Sequence, residues 1–313
     1  MNKKIIAALV AVTLAIPTIS ANAASLQNKT VAQPTIAILD TALDTSLPIF
    51  KDRILFEACV TQFSTCPNGM SEMEGTNSST MSLDFLSNNG FDHGTQMASL
   101  AVAANPNVNI VFVRIIGSNP NGTRQVAGEQ TVINALDWVY RNKDRFNIQA
   151  VSMSQGHHNL GAVGTDYCPK TPITEGKIKS LADAGVPVFF PAGNNRDYVR
   201  IDWPACIKSS IAVGAVMPTN EVAIYTNFDS NLVDFFALGT TRATLPGGKP
   251  INVGGTSAAT VIAATQWATV KSAKPTLTYS QIYDLISSTS IPTRNSKVSG
   301  GKLINLNGAL SVQ

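Results

Sequence analysis

Apolar residues along the chain follow two patterns that take turns. Six short runs, at 35–39, 109–114, 148–152, 186–190, 211–215 and 233–238, are apolar at almost every position. Between and after them, at 94–103, 131–140, 176–184, 257–271 and 280–287, apolar residues recur every three or four positions. The first pattern predicts short strands buried on both faces, and the second predicts helices with one buried side. Strands and helices in alternation predict an α/β fold, a mostly parallel β-sheet with helices on both faces. In such sheets ligands sit at the carboxyl ends of the strands. Asp40 ends the first run and Asn194 lies just beyond the fourth.

The first 23 residues follow neither pattern. Lys3 and Lys4 precede an apolar stretch from Ile5 to Ile16, and Ala21-Asn22-Ala23 follows. This is the layout of a secretory signal peptide cleaved before Ala24, and the apolar stretch is short for a membrane span. The remaining residues, 24–313, suit one large domain with an ample core, with no internal repeat or compositional boundary. Without Lys3 and Lys4 the chain carries 21 basic against 20 acidic residues. That balance gives no case for nucleic acid or an anionic membrane as partner.

The chemistry gathers around Val253-Gly254-Gly255-Thr256-Ser257-Ala258-Ala259. Two glycines lead into a Thr-Ser pair where a helical pattern begins. A serine in the first turn of a helix lies near unpartnered backbone N–H groups and the positive end of the helix dipole. Such donors are what a nucleophilic serine needs for its oxyanion. Taken alone, the stretch reads equally as an ordinary serine helix cap. Upstream, however, lie Asp92-His93-Gly94-Thr95 and Ile38-Leu39-Asp40-Thr41. A serine needs a base to lose its proton, and a histidine base needs a carboxylate to fix its tautomer.

The order Asp40, His93, Ser257, with these flanking residues, resembles the subtilisin-like serine proteases, the subtilase family. Pro191-Ala192-Gly193-Asn194 is similar to that family's oxyanion-hole segment, and Ser152-Met153-Ser154-Gln155-Gly156 to its substrate-binding strand. The resemblance runs from about residue 34 to 272. It implies Ser257 as nucleophile, His93 as general base and Asp40 as the carboxylate that orients it. It also implies Asn194 as an oxyanion donor, Ser154, Gln155 and Gly156 as one wall of the cleft, and the turn-rich loop 117–122 as the approach to the other. The substrate it implies is a polypeptide, cut by a monomeric exported enzyme that needs no cofactor. The sequence departs from the family pattern at Asp92, Gln96, Gln155 and Ala258, and none of these removes a catalytic atom.

Four cysteines, Cys59, Cys66, Cys168 and Cys206, allow three pairings in an exported protein. The resemblance to bacterial subtilases implies Cys168–Cys206, and with it Cys59–Cys66. Family members often hold structural calcium in polar loops, but no ligand pattern stands out around Glu72 and Glu74, and no metal site is assigned. His157 and His158 read as a solvated loop pair beside the cleft rather than metal ligands, because no acid or cysteine cluster sits at ligand spacing.

Two readings from other classes carry different expectations. A serine esterase of the α/β-hydrolase kind would show G-x-S-x-G and the order Ser, Asp, His, which is not the pattern here. An inactive binding module on the same fold would not need all four catalytic side chains. The family's N-terminal propeptide domain does not fit into the 16 residues from Ala24 to Leu39. The chain is therefore expected to fold without one. Exported protein should begin near Ala24, and its Ser257→Ala variant should share that N-terminus. N-terminal sequencing of both forms checks this, and a wild-type chain trimmed further than the variant would reveal self-processing.

Overall fold

Every residue of strand β1 (Thr35–Asp40) is buried. Successive side chains of a strand point to opposite faces. Ile36 and Ile38 pack into one core, while Ala37 and Leu39 pack into another. Both faces of the sheet are covered, which is why β1 is apolar at each position rather than at every second one.

The computed structural model describes residues 32–88, 90–158, 167–294 and 300–312. The expected signal peptide, 1–23, lies outside the described residues. From Ala32 onward the chain forms one unit. After β1 come β2 (Ile54–Val60), β3 (Glu72–Glu74), α1 (Leu83–Asn88), α2 (His93–Ala104), β4 (Asn109–Arg114), α3 (Glu129–Asn142) and β5 (Ala150–Met153). Next are α4 (Pro172–Asp183), β6 (Val188–Pro191), β7 (Ile211–Val216), β8 (Val233–Leu238), β9 (Thr240–Thr244) and β10 (Pro250–Gly254). The chain closes with α5 (Thr256–Ala273), α6 (Tyr279–Thr289), β11 (Ile291–Pro292), β12 (Lys302–Leu303) and α7 (Leu306–Ser311).

The main sheet has the order β11-β12-β8-β7-β6-β5-β1-β4-β2-β3. Pairing is parallel from β12 across to β2 and antiparallel only at the two edges. Helices α2, α5, α6 and α7 contribute to the core on one face, and α3 and α4 to the core on the other. The expected α/β fold is therefore the one observed. β1 lies between β4 and β5, so the strand order turns back at β1. A crevice opens at the carboxyl ends of strands where such a reversal occurs.

All six expected strands form, as β1 and β4 to β8. β5 and β6 begin two residues later than the apolar runs that announce them, with Ala150 beside Ile36 and Val188 beside Val151 as their first paired residues. β2 escapes the apolar pattern because Glu57 interrupts it. That carboxylate is buried, accepting from the Asn77 and Ser79 amides and the Ser79 hydroxyl. α4 starts at Pro172, four positions ahead of its apolar pattern. Proline suits the first helical position, where no N–H is needed.

Helix α5 sets the depth of the site. Thirteen of its 18 residues are buried, five of them alanines. Small side chains let it lie close along β5, β6, β7 and β8. Its first turn is thereby brought to the carboxyl edge of the sheet.

Both expected disulfides, Cys59–Cys66 and Cys168–Cys206, are formed. The first closes a span of 7 residues and the second a span of 38. In the chain-entropy account, the shorter loop contributes about 2.5 kcal/mol and the longer about 4 kcal/mol. The Cys168→Ser/Cys206→Ser protein should therefore lose more stability than the Cys59→Ser/Cys66→Ser protein. Urea midpoints of the two variants check this order.

Candidate active site

Asp40 ends β1 fully buried. Its Oδ1 accepts the Thr41 amide at 2.7 Å and lies 2.8 Å from Nδ1 of His93. A carboxylate at Nδ1 makes that nitrogen the donor and leaves Nε2 as the acceptor. His93 is the first residue of α2, and the junction around it is tightly tied. The Thr41 hydroxyl accepts from the Gly94 amide and donates to the Phe91 carbonyl, both at 2.8 Å. Gly94 admits no side chain, because a Cβ would stand 2.5 Å from the Ala42 carbonyl oxygen. Asp92 and Gln96, two of the departures from the family pattern, bond to each other across one helical turn at 2.8 Å.

Burial pulls the His93 pKa down. The charge of Asp40 and its hydrogen bond pull it up by more, so it stands above the ordinary value of 6.5. Arg124 pulls the other way, and Asp92 adds to the rise.

Ser257 is the second residue of α5 and half-buried. Its carbonyl accepts from the Ser154 hydroxyl at 3.1 Å, which fastens the helix start to the segment after β5. Asn194 follows β6. Its Oδ1 accepts both the amide and the hydroxyl of Thr256, at 2.9 and 3.1 Å. With the oxygen so engaged, the Nδ2 donor is the end left for the cleft. Gly193 makes the turn possible, with φ of 110° and no room for a Cβ against Asn227 and Asp202. His93, Asn194 and Ser257 line one cleft of about 190 Å³ together with Ser154, Gln155 and Gly156. A larger hollow of about 550 Å³ beside the Cys168–Cys206 bridge brings no nucleophile to a base, so size alone does not mark the site.

The wall at Ser154–Gly156 continues into a pairing with Trp203. The His157 amide donates to the Trp203 carbonyl at 3.0 Å, and the Trp203 amide returns the bond at 3.1 Å. His157 is exposed against the Trp203 ring, as a loop histidine would be. His158 is not solvated, contrary to expectation. Its side chain is 7% exposed, with Nδ1 2.8 Å from Asp202 and Nε2 3.3 Å from Asp197. Asn227 donates to the same Asp202 oxygen at 2.9 Å. Burial outweighs these bonds and holds the Asp202 carboxyl above the usual range. Sequence spacing could not show this cluster, since His158, Asp202 and Asn227 come from three separate loops.

Thr256 and Arg124 also escaped the sequence reading. Thr256 is visible afterwards as the residue before Ser257. Arg124 carries no local signal at all.

Among the described residues no group of three or more His, Cys, Asp or Glu is gathered as a metal site. Glu72 and Glu74 are otherwise engaged, with Arg141 and with Arg145 and the Trp138 indole. No described helix is long and apolar enough to cross a membrane.

Comparison with known proteins identifies the family and the fold. Over 233 residues the chain is 30% identical to subtilisin E of Bacillus subtilis (strain 168), covering 70% of this chain and 56% of that one. It is likewise 30% identical over 233 residues to the subtilisin of Bacillus pumilus, covering 70% and 78%. The chain thus spans little more than half the length of subtilisin E. The solved structure of a cold adapted subtilisin-like serine proteinase shares the fold, with a TM-score of 0.61 and 23% identity over 86% of this chain and 87% of that one. The model of the subtilase family matches residues 32–308, which includes β1, α2, β6 and the start of α5, and the chain belongs to that family.

Proposed function

We propose that the protein is an exported serine endopeptidase that cuts polypeptides through Asp40, His93 and Ser257. One observation carries the reading. A buried carboxylate holds Nδ1 of a histidine, and that histidine shares a small cleft with a helix-start serine and an asparagine whose amide donor is left open.

Ser257 Oγ attacks the peptide carbonyl carbon while Nε2 of His93 takes its proton. Asp40 keeps Nδ1–H pointed at itself and stabilises the imidazolium that forms. The oxyanion receives the Asn194 Nδ2–H and the Ser257 backbone N–H. His93 then gives its proton to the leaving nitrogen as the C–N bond breaks, leaving an ester on Ser257. Water, deprotonated by His93, hydrolyses that ester. The Ser154–Gly156 wall holds the peptide as an added strand. Residues 1–23 serve as the export signal and the rest as one catalytic domain. The two disulfides suit an oxidising compartment. The enzyme acts as a monomer and requires no cofactor for the chemistry.

A fluorophosphonate probe should label wild-type protein at Ser257 and leave the Ser257→Ala variant unlabelled, as read by peptide mass mapping. An unlabelled wild type would favour an inactive binding module. The Asn194→Ala variant should lose about 10²–10³ in kcat with little change in KM, the size of loss known for an oxyanion-hole asparagine in a subtilisin.

The pH profile has a definite sign. His93 must be neutral to accept a proton, and Asp40 holds its pKa above 6.5. The rising limb of kcat/KM should therefore be centred above pH 6.5. In Asp40→Asn the limb should move to lower pH as the overall rate falls. A wild-type profile flat from pH 5 to 8 would exclude His93 as the base.

A further inference from the structure

Three charged side chains line the cleft: His93, Asp202 and Arg124. Two of them are balanced within the protein. His93 has Asp40, and Asp202 has His158 and Asn227. Arg124 is exposed, and no carboxylate among the described residues pairs with it. Asp92, the acid beside the same histidine, is bonded to Gln96.

The position of Arg124 is set by the backbone. Residues 118–124 form a small hairpin with a bridge between Ser118 and Arg124. The Asn119 amide donates to the Thr123 carbonyl at 2.8 Å, and the Gln125 amide to Gly117 at 2.9 Å. The base of the hairpin is pinned by the buried Arg114, which donates to the Ile116 carbonyl at 3.2 Å and the Thr65 carbonyl at 2.8 Å. Arg124 therefore stands at a fixed base, not on a loose tip. Its guanidinium lies close enough to His93 to oppose protonation of the ring.

A cation beside the general base, in a cleft whose other charges are neutralised, leaves the counter-charge to the substrate. We propose that Arg124 is a specificity-determining residue that selects peptides carrying an Asp or Glu side chain close to the cut bond. Arg124 lines the same cleft as Ser154–Gly156, Asn194 and Ser257, so the side chain it selects lies within a few residues of the cut bond. This inference rests on the proposed endopeptidase activity. Glutamine at the same substrate position would leave the guanidinium uncompensated, and lysine would add a like charge.

The test uses peptides identical except for Glu, Gln or Lys at each position within about four residues of the cut bond in turn. At one position wild-type kcat/KM should be roughly fivefold higher for Glu than for Gln, the upper size of an exposed ion pair, and lowest for Lys. The ratio should shrink in about 1 M salt, where the Debye length falls to about 3 Å. Arg124→Gln should bring the Glu/Gln ratio to one, Arg124→Glu should turn the preference toward Lys, and Arg124→Lys should retain it. A second readout is the pH profile. With Asp40 and Asp92 still acting on the ring, loss of the cation in Arg124→Gln should move the rising limb to higher pH. Wild-type protein that cuts the Gln peptides with no charge preference at any position would overturn this inference and leave the proposed activity standing. A Glu preference unchanged in Arg124→Gln would do the same. If no peptide is cut and Ser257 takes no label, the proposed activity falls and this inference with it.

Discussion

The site depends on one junction, where Thr256 meets Asn194. The Thr256 amide and hydroxyl both bind the Asn194 side-chain oxygen, and the Gly193 amide returns a bond to that hydroxyl at 3.2 Å. These contacts join the first residue of α5 to the loop after β6. They satisfy a backbone donor that a helix start would otherwise leave open. They also settle which end of the Asn194 amide faces the cleft. The proposed nucleophile and oxyanion donor are thus placed by the same few bonds, and α5 can hold that position because the helix behind it is packed among the strands.

Asp40 and His93 are positioned from the other side of the same edge. β1 is locked between β4 and β5, so its last residue has little freedom. Thr41 then clamps the start of α2 to the strand end. The cost of burying charge here is met by pairing: Asp40 with His93, and behind Asn194 the carboxylates of Asp197 and Asp202 with His158. His158, within reach of both Asp197 and Asp202, ties the turn at Gly193 to the wall at Gly156. Removing one member would leave its partner buried and uncompensated, which is the costly way to break such a group.

The departures from the family pattern find local explanations. Asp92 and Gln96 replace residues usual in the family and bond each other on the outer turn of α2. Neither side chain bonds to a reacting atom, and Asp92 acts on His93 only through its charge.

The alternation of apolar runs and helical periods was enough to specify the α/β architecture. Burial on both faces of a parallel sheet leaves an unbroken apolar signature, and a half-buried helix leaves a periodic one. The candidate site was legible for a related reason. Asp40, His93, Asn194 and Ser257 each sit at the end of an element, next to the glycine or threonine that the turn requires. Strand β2 was hidden because the partners of Glu57 lie some twenty residues away. Only the tertiary structure decided which charges are spent and which remain. His158 reads in sequence as a solvated loop residue, yet folding encloses it between two aspartates from another loop. Arg124 carries no signal in the sequence, yet the hairpin sets it beside His93 with no acid among the described residues paired to it. Periodicity records burial against neighbouring elements, whereas charge pairing depends on distances between segments that no local pattern encodes.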